Sequence, residues 1–404
     1  MLNVFNKASL VEMCRRMGLA TGDTARNDKL YYINMLVAHP EQAEVEKLVA
    51  EFSVTAKRTQ ASMPVALISA NPLPAVHPEG IKCVSHKPAS AVFGIRGKNA
   101  SIIVDVWNDP DAPEIDHDYK FDKEKLAAVL IAIKCNKNFW MYGPAGTGKT
   151  EFVKNLCGYL GRAYYRVSFD ASLEKYDFLG GERAKAGSTV WQDGIVLQAM
   201  TRPGAIVLLD EVGFARAEFL SALHAVLEPK AVVTISETGR KVSKASGVIF
   251  CAADNSNGTG DPSGLYVGIS QKNRAFTSRF GAFIKLDYMA PVQEAEVICL
   301  RSKCNKDVAE LIVGFLGICR QQALSSIIEE APSLREAFAL AEYWMAGMDC
   351  RAAFEMAVVN RLADENAEQF QQLYRANIDE AAVAAAVEGK LAEFRAGTYV
   401  AAVA

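Results

Sequence analysis

The residues Gly143, Pro144, Ala145, Gly146, Thr147, Gly148, Lys149 and Thr150 spell a G-x-x-x-x-G-K-T loop. An apolar stretch, Phe139 to Tyr142, precedes it, and a stretch of helical pattern, Glu151 to Leu160, follows. A loop of this kind between a strand and a helix closes its backbone N–H groups around phosphate oxygens, and the helix adds its positive end. The expected nucleotide-binding residues run from Gly143 through Glu151. Lys149 is expected to reach the β- and γ-phosphate oxygens of ATP, and the Thr150 hydroxyl to ligate Mg2+.

The second group of chemistry-bearing residues is Asp210 and Glu211, at the end of the apolar run Ala205 to Leu209. Carboxylates at the carboxyl end of a parallel strand face the ligand crevice of an α/β sheet. There Asp210 is expected to hold the Mg2+ hydration shell and Glu211 to polarise the attacking water. An acidic helix cap would also explain the pair, but its place after a phosphate loop favours catalysis. The next apolar run, Gly247 to Ala253, leads to Asp254 and Asn255. An amide there can orient water without repelling phosphate, and a turn-forming asparagine is the plainer alternative.

Arg279 precedes the last strand-like run, Phe283 to Leu286, and is a candidate for stabilising transition-state charge in a neighbouring subunit; Arg274 is a second candidate. Arg335 stands near the start of a helix, after Pro332 and Ser333. A cation there opposes the helix dipole, which points to another task; in many ring ATPases an arginine in such a lid helix reaches the γ-phosphate, and a helix-surface ion pair is the plainer alternative.

These residues need a scaffold. From Tyr119 to about residue 290, strand-like and helical runs alternate, the pattern of a parallel α/β sheet. Val232 to Ser236 and Lys241 to Ser243 flank a turn and predict a β-hairpin. After Pro291 the pattern is helical. The expected fold class is α/β, a P-loop core with a parallel sheet and a C-terminal helical lid. A small N-terminal helical module and a short β-containing segment precede it. The expected domains are residues 1–50 (helical, with Ser9 as a cap and a second helix over Leu30 to Leu36), 51–118 (linker and β segment), 119–290 (core) and 291–404 (lid and tail).

The chain has 404 residues, a net charge of −3 and 50% hydrophobic residues, an ordinary globular balance with no global pull toward nucleic acid or anionic membrane. Its nine cysteines are scattered, with no C-x-x-C pair, which suits reduced thiols in a cytoplasm better than a disulfide frame. No apolar run reaches membrane-spanning length and no signal-peptide pattern opens the chain, so a cytoplasmic location is expected.

The order of phosphate loop, Asp-Glu, Asn, Arg and helical Arg resembles an AAA+ ATPase. The hairpin between the acidic pair and the Asn strand resembles the pre-sensor-1 hairpin clade. Within it the chain is similar to the MoxR group and to the family of the cobaltochelatase small ATPase subunit (CobS-like). Supporting segments are Val92 to Ile95, Ile115 to Asp122, Phe169-Asp170 with Asp177 to Gly180, Asp193 to Ile195, Gly258 to Asp261 with Gly264 to Tyr266, and Pro332 to Arg335. The resemblance implies ATP hydrolysis with Mg2+ by a ring, a hexamer, with sites between subunits and Arg279 acting as the arginine finger. It also implies a partner carrying a von Willebrand factor A domain, and remodelling of that partner or metal insertion through it. Residues 180–194, with Arg183, Lys185 and Trp191, stand where the clade has an insertion in its second helix that faces the pore or a partner. Residues 1–50 resemble a SAP-type module, which makes DNA a possible partner there, although its basic charge is modest. The alternative function is a DNA-acting ATPase of phage replication or packaging type anchored through that module.

Overall fold

In the computed structural model, the described residues are 7–17, 19, 36, 45, 47, 77–170, 172–185, 188–258 and 272–395. The chain forms two compact units, residues 1–71 with 185–190, and residues 72–184 with 191–404. In the first unit, helix α1 (Lys7–Arg16) buries Leu10, Val11 and Cys14. Ser9 lies inside this helix rather than capping it. Leu36 apart, the expected second helix over Leu30 to Leu36 lies outside the described residues, as do the expected linker over 51–75 and residues 396–404.

The second unit opens with two antiparallel strands, β1 (Cys83–Pro88) and β2 (Ile103–Trp107), joined through the short helix α2 (Ala89–Phe93). Trp107 seats this small sheet on the core, its indole against Gly204 and Gly247, where a side chain would leave no room for the ring, and its backbone against Gly161. Nearby, Asp109 forms a buried ion pair with Arg202. Helix α3 (Lys123–Lys134) then starts at Asp122, whose carboxylate accepts from the N–H groups of Glu124 and Lys125.

The core follows in chain order as β3 (Phe139–Tyr142), α4 (Lys149–Leu160), β4 (Tyr164–Ser168), α5 (Lys175–Phe178), the hairpin β5 (Gly180–Lys185) and β6 (Ser188–Asp193), and α6 (Ile195–Thr201). It continues with β7 (Ile206–Asp210), α7 (Ala217–Val226), the hairpin β8 (Val232–Thr234) and β9 (Lys241–Ser243), β10 (Ile249–Asp254), α8 (Arg274–Thr277) and β11 (Ala282–Lys285). Five strands form one sheet in the order β11-β3-β10-β7-β4, and every pairing in it is parallel.

The sheet is covered on both faces, and strand periodicity divides the side chains between them. Trp140, Val207, Leu209, Phe250 and Ala252 enter one apolar cluster with Phe219 and Leu223 of α7. Phe139, Met141, Ile206, Leu208, Ile249 and Cys251 enter the other, with Val129 of α3 and Phe152 and Leu156 of α4. Continuous apolar runs are therefore required of β7 and β10, and both strands are buried throughout.

Helices α9 (Pro291–Ser302), α10 (Lys306–Leu324), α11 (Leu334–Met345), α12 (Cys350–Ala357), α13 (Asp364–Asn377) and α14 (Glu380–Arg395) make the helical region. Pro291 sits in the first turn of α9, where its missing N–H costs nothing. This region has its own apolar cluster around Ile312, Leu316, Trp344, Phe354 and Tyr374. Among the described residues no helix is long and apolar enough to cross a membrane.

Candidate nucleotide site

Register brings the chemistry together. Asp254 pairs in register with Tyr142, Ala253 with Asp210, and Asp210 with Ser168. Four strands, β3, β4, β7 and β10, thus end level with one another, and the segments that leave β3, β7 and β10 meet in one crevice: the phosphate loop, the Asp210-Glu211 pair and Asn255.

The loop is shaped by glycines at positive φ. At Gly143, a Cβ would stand 1.9 Å from the carbonyl oxygen of Leu286, just after β11. At Gly146, one would stand 2.3 Å from the Cβ of Ser333. Both positions need glycine for conformation and for space. Thr147 closes the loop by donating to the Pro144 carbonyl at 2.9 Å.

Lys149 donates to the carbonyls of Gly143 at 2.7 Å and Pro144 at 2.9 Å, and to Asn255 Oδ1 at 3.1 Å. Burial depresses its pKa to about 8, partly opposed by the carboxylates of Asp210, Asp254 and Glu330 and reinforced by Arg335. Thr150 Oγ1 donates to Asp210 Oδ2 at 3.1 Å, and Arg166 Nε donates to the same oxygen at 2.8 Å. Asp210 itself is buried.

Glu211 is exposed and held at φ 55 ψ 38, the left-handed region that a non-glycine residue enters at a cost. The chain turns there into a short 3-10 helix, Val212–Phe214, lying beside Asp254; a Cβ on Gly213 would stand 2.7 Å from Asp254 Oδ1. Asp254 accepts from Ser256 Oγ at 3.0 Å, and its burial raises its pKa. Lys272 donates to the Gly213 carbonyl at 2.7 Å, which ties the segment after Glu211 to the start of α8.

From the helical region, Ser333 caps α11 and forms a capping box with Glu336. Ser333 is also the residue against Gly146, so the N-terminus of α11 rests on the phosphate loop. Arg335, second residue of α11, is exposed and acts on Lys149 through its charge.

The structure therefore groups Lys149, Thr150, Asp210 and Asn255, with Arg335 within electrostatic reach and Glu211 at the end of the same strand as Asp210. Glu151 lies in the first turn of α4, where a carboxylate suits the helix dipole. Arg279 is not part of this group. Its guanidinium donates to the carbonyls of His224 (3.0 Å) and Ala275 and pairs with Glu228 at 3.1 Å. Arg274 is exposed at the start of α8. In residues 180–194, Trp191 is buried in the core and donates to Asp193 at 2.9 Å, so it packs the base of a hairpin instead of projecting. Arg183 pairs with Asp177 at 3.0 Å. Residues 259–271, which carry part of the resemblance, lie outside the described residues.

Two contributors were not singled out from sequence. Arg166 looked like one polar residue in a strand; only the pairing of β4 with β7 places it at Asp210. Tyr119 packs under the loop, its hydroxyl donating to the Gly148 carbonyl at 3.4 Å, and burial raises its pKa. Its neighbour Asp116 accepts from Arg301 of α9, and its N–H donates to Asn155 Oδ1 at 2.8 Å. The segment before α3 thus links the phosphate-loop helix to the helical region.

Comparison with known proteins agrees with this arrangement. Residues 138–267 match the AAA domain of the dynein-related subfamily, and residues 294–376 match the CbbQ/NirQ/NorQ C-terminal domain. Protein NorQ of Paracoccus denitrificans is 30% identical over 223 residues, covering 55% of this chain and 79% of NorQ. The chain belongs to the MoxR-like AAA+ ATPases. The denitrification regulatory protein NirQ of Pseudomonas aeruginosa is 30% identical, covering 56% of this chain and 83% of its own. The aerobic cobaltochelatase subunit CobS of a Sinorhizobium species is 27% identical, covering 61% and 72%. As a member of this family the chain is a nucleotide-binding ATPase.

Proposed function

We propose that this MoxR-like ATPase hydrolyses Mg-ATP at the crevice, as a hexameric ring, and spends the energy on remodelling a partner protein. The observation that supports it best is the convergence of Lys149, Thr150, Asp210 and Asn255. The Thr150 hydroxyl and Asp210 Oδ2 stand 3.1 Å apart, two hard oxygen donors at one point, and so fit Mg2+. When bound, the ion supplies charge neutralisation for the phosphate oxygens.

The chain's own residues do the rest. The loop amides from Gly143 to Thr150 hold the phosphates. Lys149 exchanges its carbonyl partners for phosphate oxygens and keeps Asn255 beside the γ-phosphate. Glu211 takes a proton from water as that water attacks in line. Asn255 orients the water, and Arg335 brings positive charge to the γ-phosphate from α11. Arg279 serves the neighbouring subunit's site, and its bonds to Glu228 and the α7 carbonyl fix where the guanidinium points. A von Willebrand factor A protein is the proposed partner, with metal insertion through it as one use, by analogy with the cobaltochelatase relative. The nine free thiols fit a cytoplasmic location.

The test is Glu211→Gln. It should bind ATP normally and turn over roughly a hundredfold more slowly, as loss of a proton acceptor implies. Trapped on ATP, it should recover a von Willebrand factor A protein by affinity capture; recovery of DNA in its place would favour the DNA-acting alternative. Mixing Arg279→Ala with Lys149→Ala subunits should restore part of the activity that each lacks. Absence of rescue in mixed rings confirmed by native mass spectrometry would remove Arg279 from the neighbouring site.

A further inference from the structure

The strands β1 and β2 lie outside the nucleotide crevice, and ATP hydrolysis does not use them. They nevertheless gather three metal-ligating side chains of different chemistry. His86 Nδ1 lies 2.6 Å from Asp105 Oδ1, and Cys83 Sγ lies 4.0 Å from the same nitrogen. One ligand atom from each residue falls within 4.8 Å of the other two.

A strand irregularity makes this possible. Cys83 and His86 are three residues apart, and in a regular strand they would face opposite sides of the sheet. Here the register shifts between Cys83 and Ser85, so that Cys83 pairs with Trp107 and His86 with Asp105. Those partners are two apart and share a face. The extra residue, Val84, thus turns Cys83 to the side of His86 and Asp105, the way a bulge re-aims a side chain.

The contacts also exclude a relay. In a Cys-His-Asp catalytic arrangement the thiol and the carboxylate address opposite ring nitrogens. Here both converge on Nδ1, which is the geometry of donors facing a common centre.

We propose that Cys83, His86 and Asp105 form a site for a borderline-soft divalent cation of the zinc type. A thiolate, an imidazole and a carboxylate are a donor set that such an ion accepts, leaving the fourth position of a tetrahedron to water. Bonds of roughly 2.0 to 2.3 Å meeting at one tetrahedral ion span about 3.3 to 3.6 Å between donors, so binding draws Cys83 Sγ in slightly from 4.0 Å and parts His86 from Asp105, now at 2.6 Å, by roughly 0.7 Å. Binding releases the thiol proton to solvent and replaces the His86–Asp105 hydrogen bond with two metal bonds. The ion staples β1 to β2, a two-stranded sheet that is marginal without support.

The test uses the full chain, free of nucleotide, titrated with Co2+. One equivalent should give thiolate-to-cobalt charge-transfer absorption that excess Zn2+ abolishes and excess Mg2+ does not. Cys83→Ser should lose that absorption and keep basal ATPase, and Cys135→Ser, which removes an exposed thiol outside the cluster, should keep both. His86→Asn should weaken Co2+ binding by at least roughly tenfold. A second measurement needs no substitution: Zn2+ should slow alkylation of Cys83, read by peptide mass spectrometry, and leave Cys135 unaffected. Absence of a thiolate band in the wild-type chain, its survival in Cys83→Ser, or equal alkylation of Cys83 with and without Zn2+ would overturn the site.

Discussion

Two buried carboxylates, Asp210 in the crevice and Glu294 in the helical region, are partnered in opposite ways. Arg320 donates to both oxygens of Glu294, at 2.7 and 2.6 Å, and its guanidinium stacks on Tyr288 at 3.8 Å from the ring centroid. Both oxygens of that carboxylate are matched, fork to fork, by the two terminal nitrogens of Arg320. At Asp210, by contrast, Thr150 and Arg166 crowd onto one oxygen, and Arg166 is half exposed. A carboxylate matched on both oxygens resists any new partner and so suits the fold. A lopsided one can give up a bond to a cation or a water at little cost, and so serves chemistry.

Breaking each pair should therefore have different results. Glu294→Ala strands Arg320 in the interior and should destabilise the chain by about 3–5 kcal/mol, read by denaturant unfolding. Asp210→Asn keeps an oxygen for Thr150 and Arg166, so its unfolding midpoint should barely move. Its Mg-dependent turnover should fall by roughly a hundredfold. Equal stability losses in the two variants would erase the distinction.

A smaller effect sharpens the contrast through Lys149. Its pKa of about 8 reflects burial. Phosphate oxygens favour the ammonium, so the pKa is higher with ATP bound than without. Binding then takes up a proton above about pH 8, and affinity falls as pH rises through that window, approaching tenfold per unit, while staying flat below it. Calorimetry in two buffers of different ionisation enthalpy reads the proton uptake directly. Lys149→Arg should show none; the same pH slope in that variant would assign the proton to another group.

The smallest effect concerns Glu211. Its left-handed backbone costs about 1 kcal/mol, and asparagine tolerates that region better. Glu211→Asn should raise stability by about 0.5 kcal/mol while turnover collapses. A lower melting temperature would mean that the carboxylate holds the fold as well as the water.

Local chemistry made much of this legible in the sequence. The phosphate loop declares itself through glycines whose role is conformational, and the apolar runs of β7 and β10 through full burial. The hairpin of β8 and β9 follows from its turn residues. What sequence hides is pairing across strands. Arg166 reaches Asp210 only because β4 lies beside β7, and nothing near Tyr119 reveals that it will underlie Gly148. In the segment from Gly180 to Asp193, where the resemblance implies an insertion, a hairpin forms, and Trp191 is buried in the core at its base rather than exposed on it, because a large apolar ring gains from burial. Helix α2 is too short to print a period.

The seat of Ser333 on Gly146 turns the phosphate loop into a mechanical gauge. Backbone and side chain meet there with no slack, so the loop cannot shift outward without displacing the first turn of α11. That turn is locked by its own capping box, and Glu336 carries the load on to Arg361. The first turn of α11 therefore packs directly on the phosphate loop, and a movement of that loop is expected to pass to the helical region through this contact.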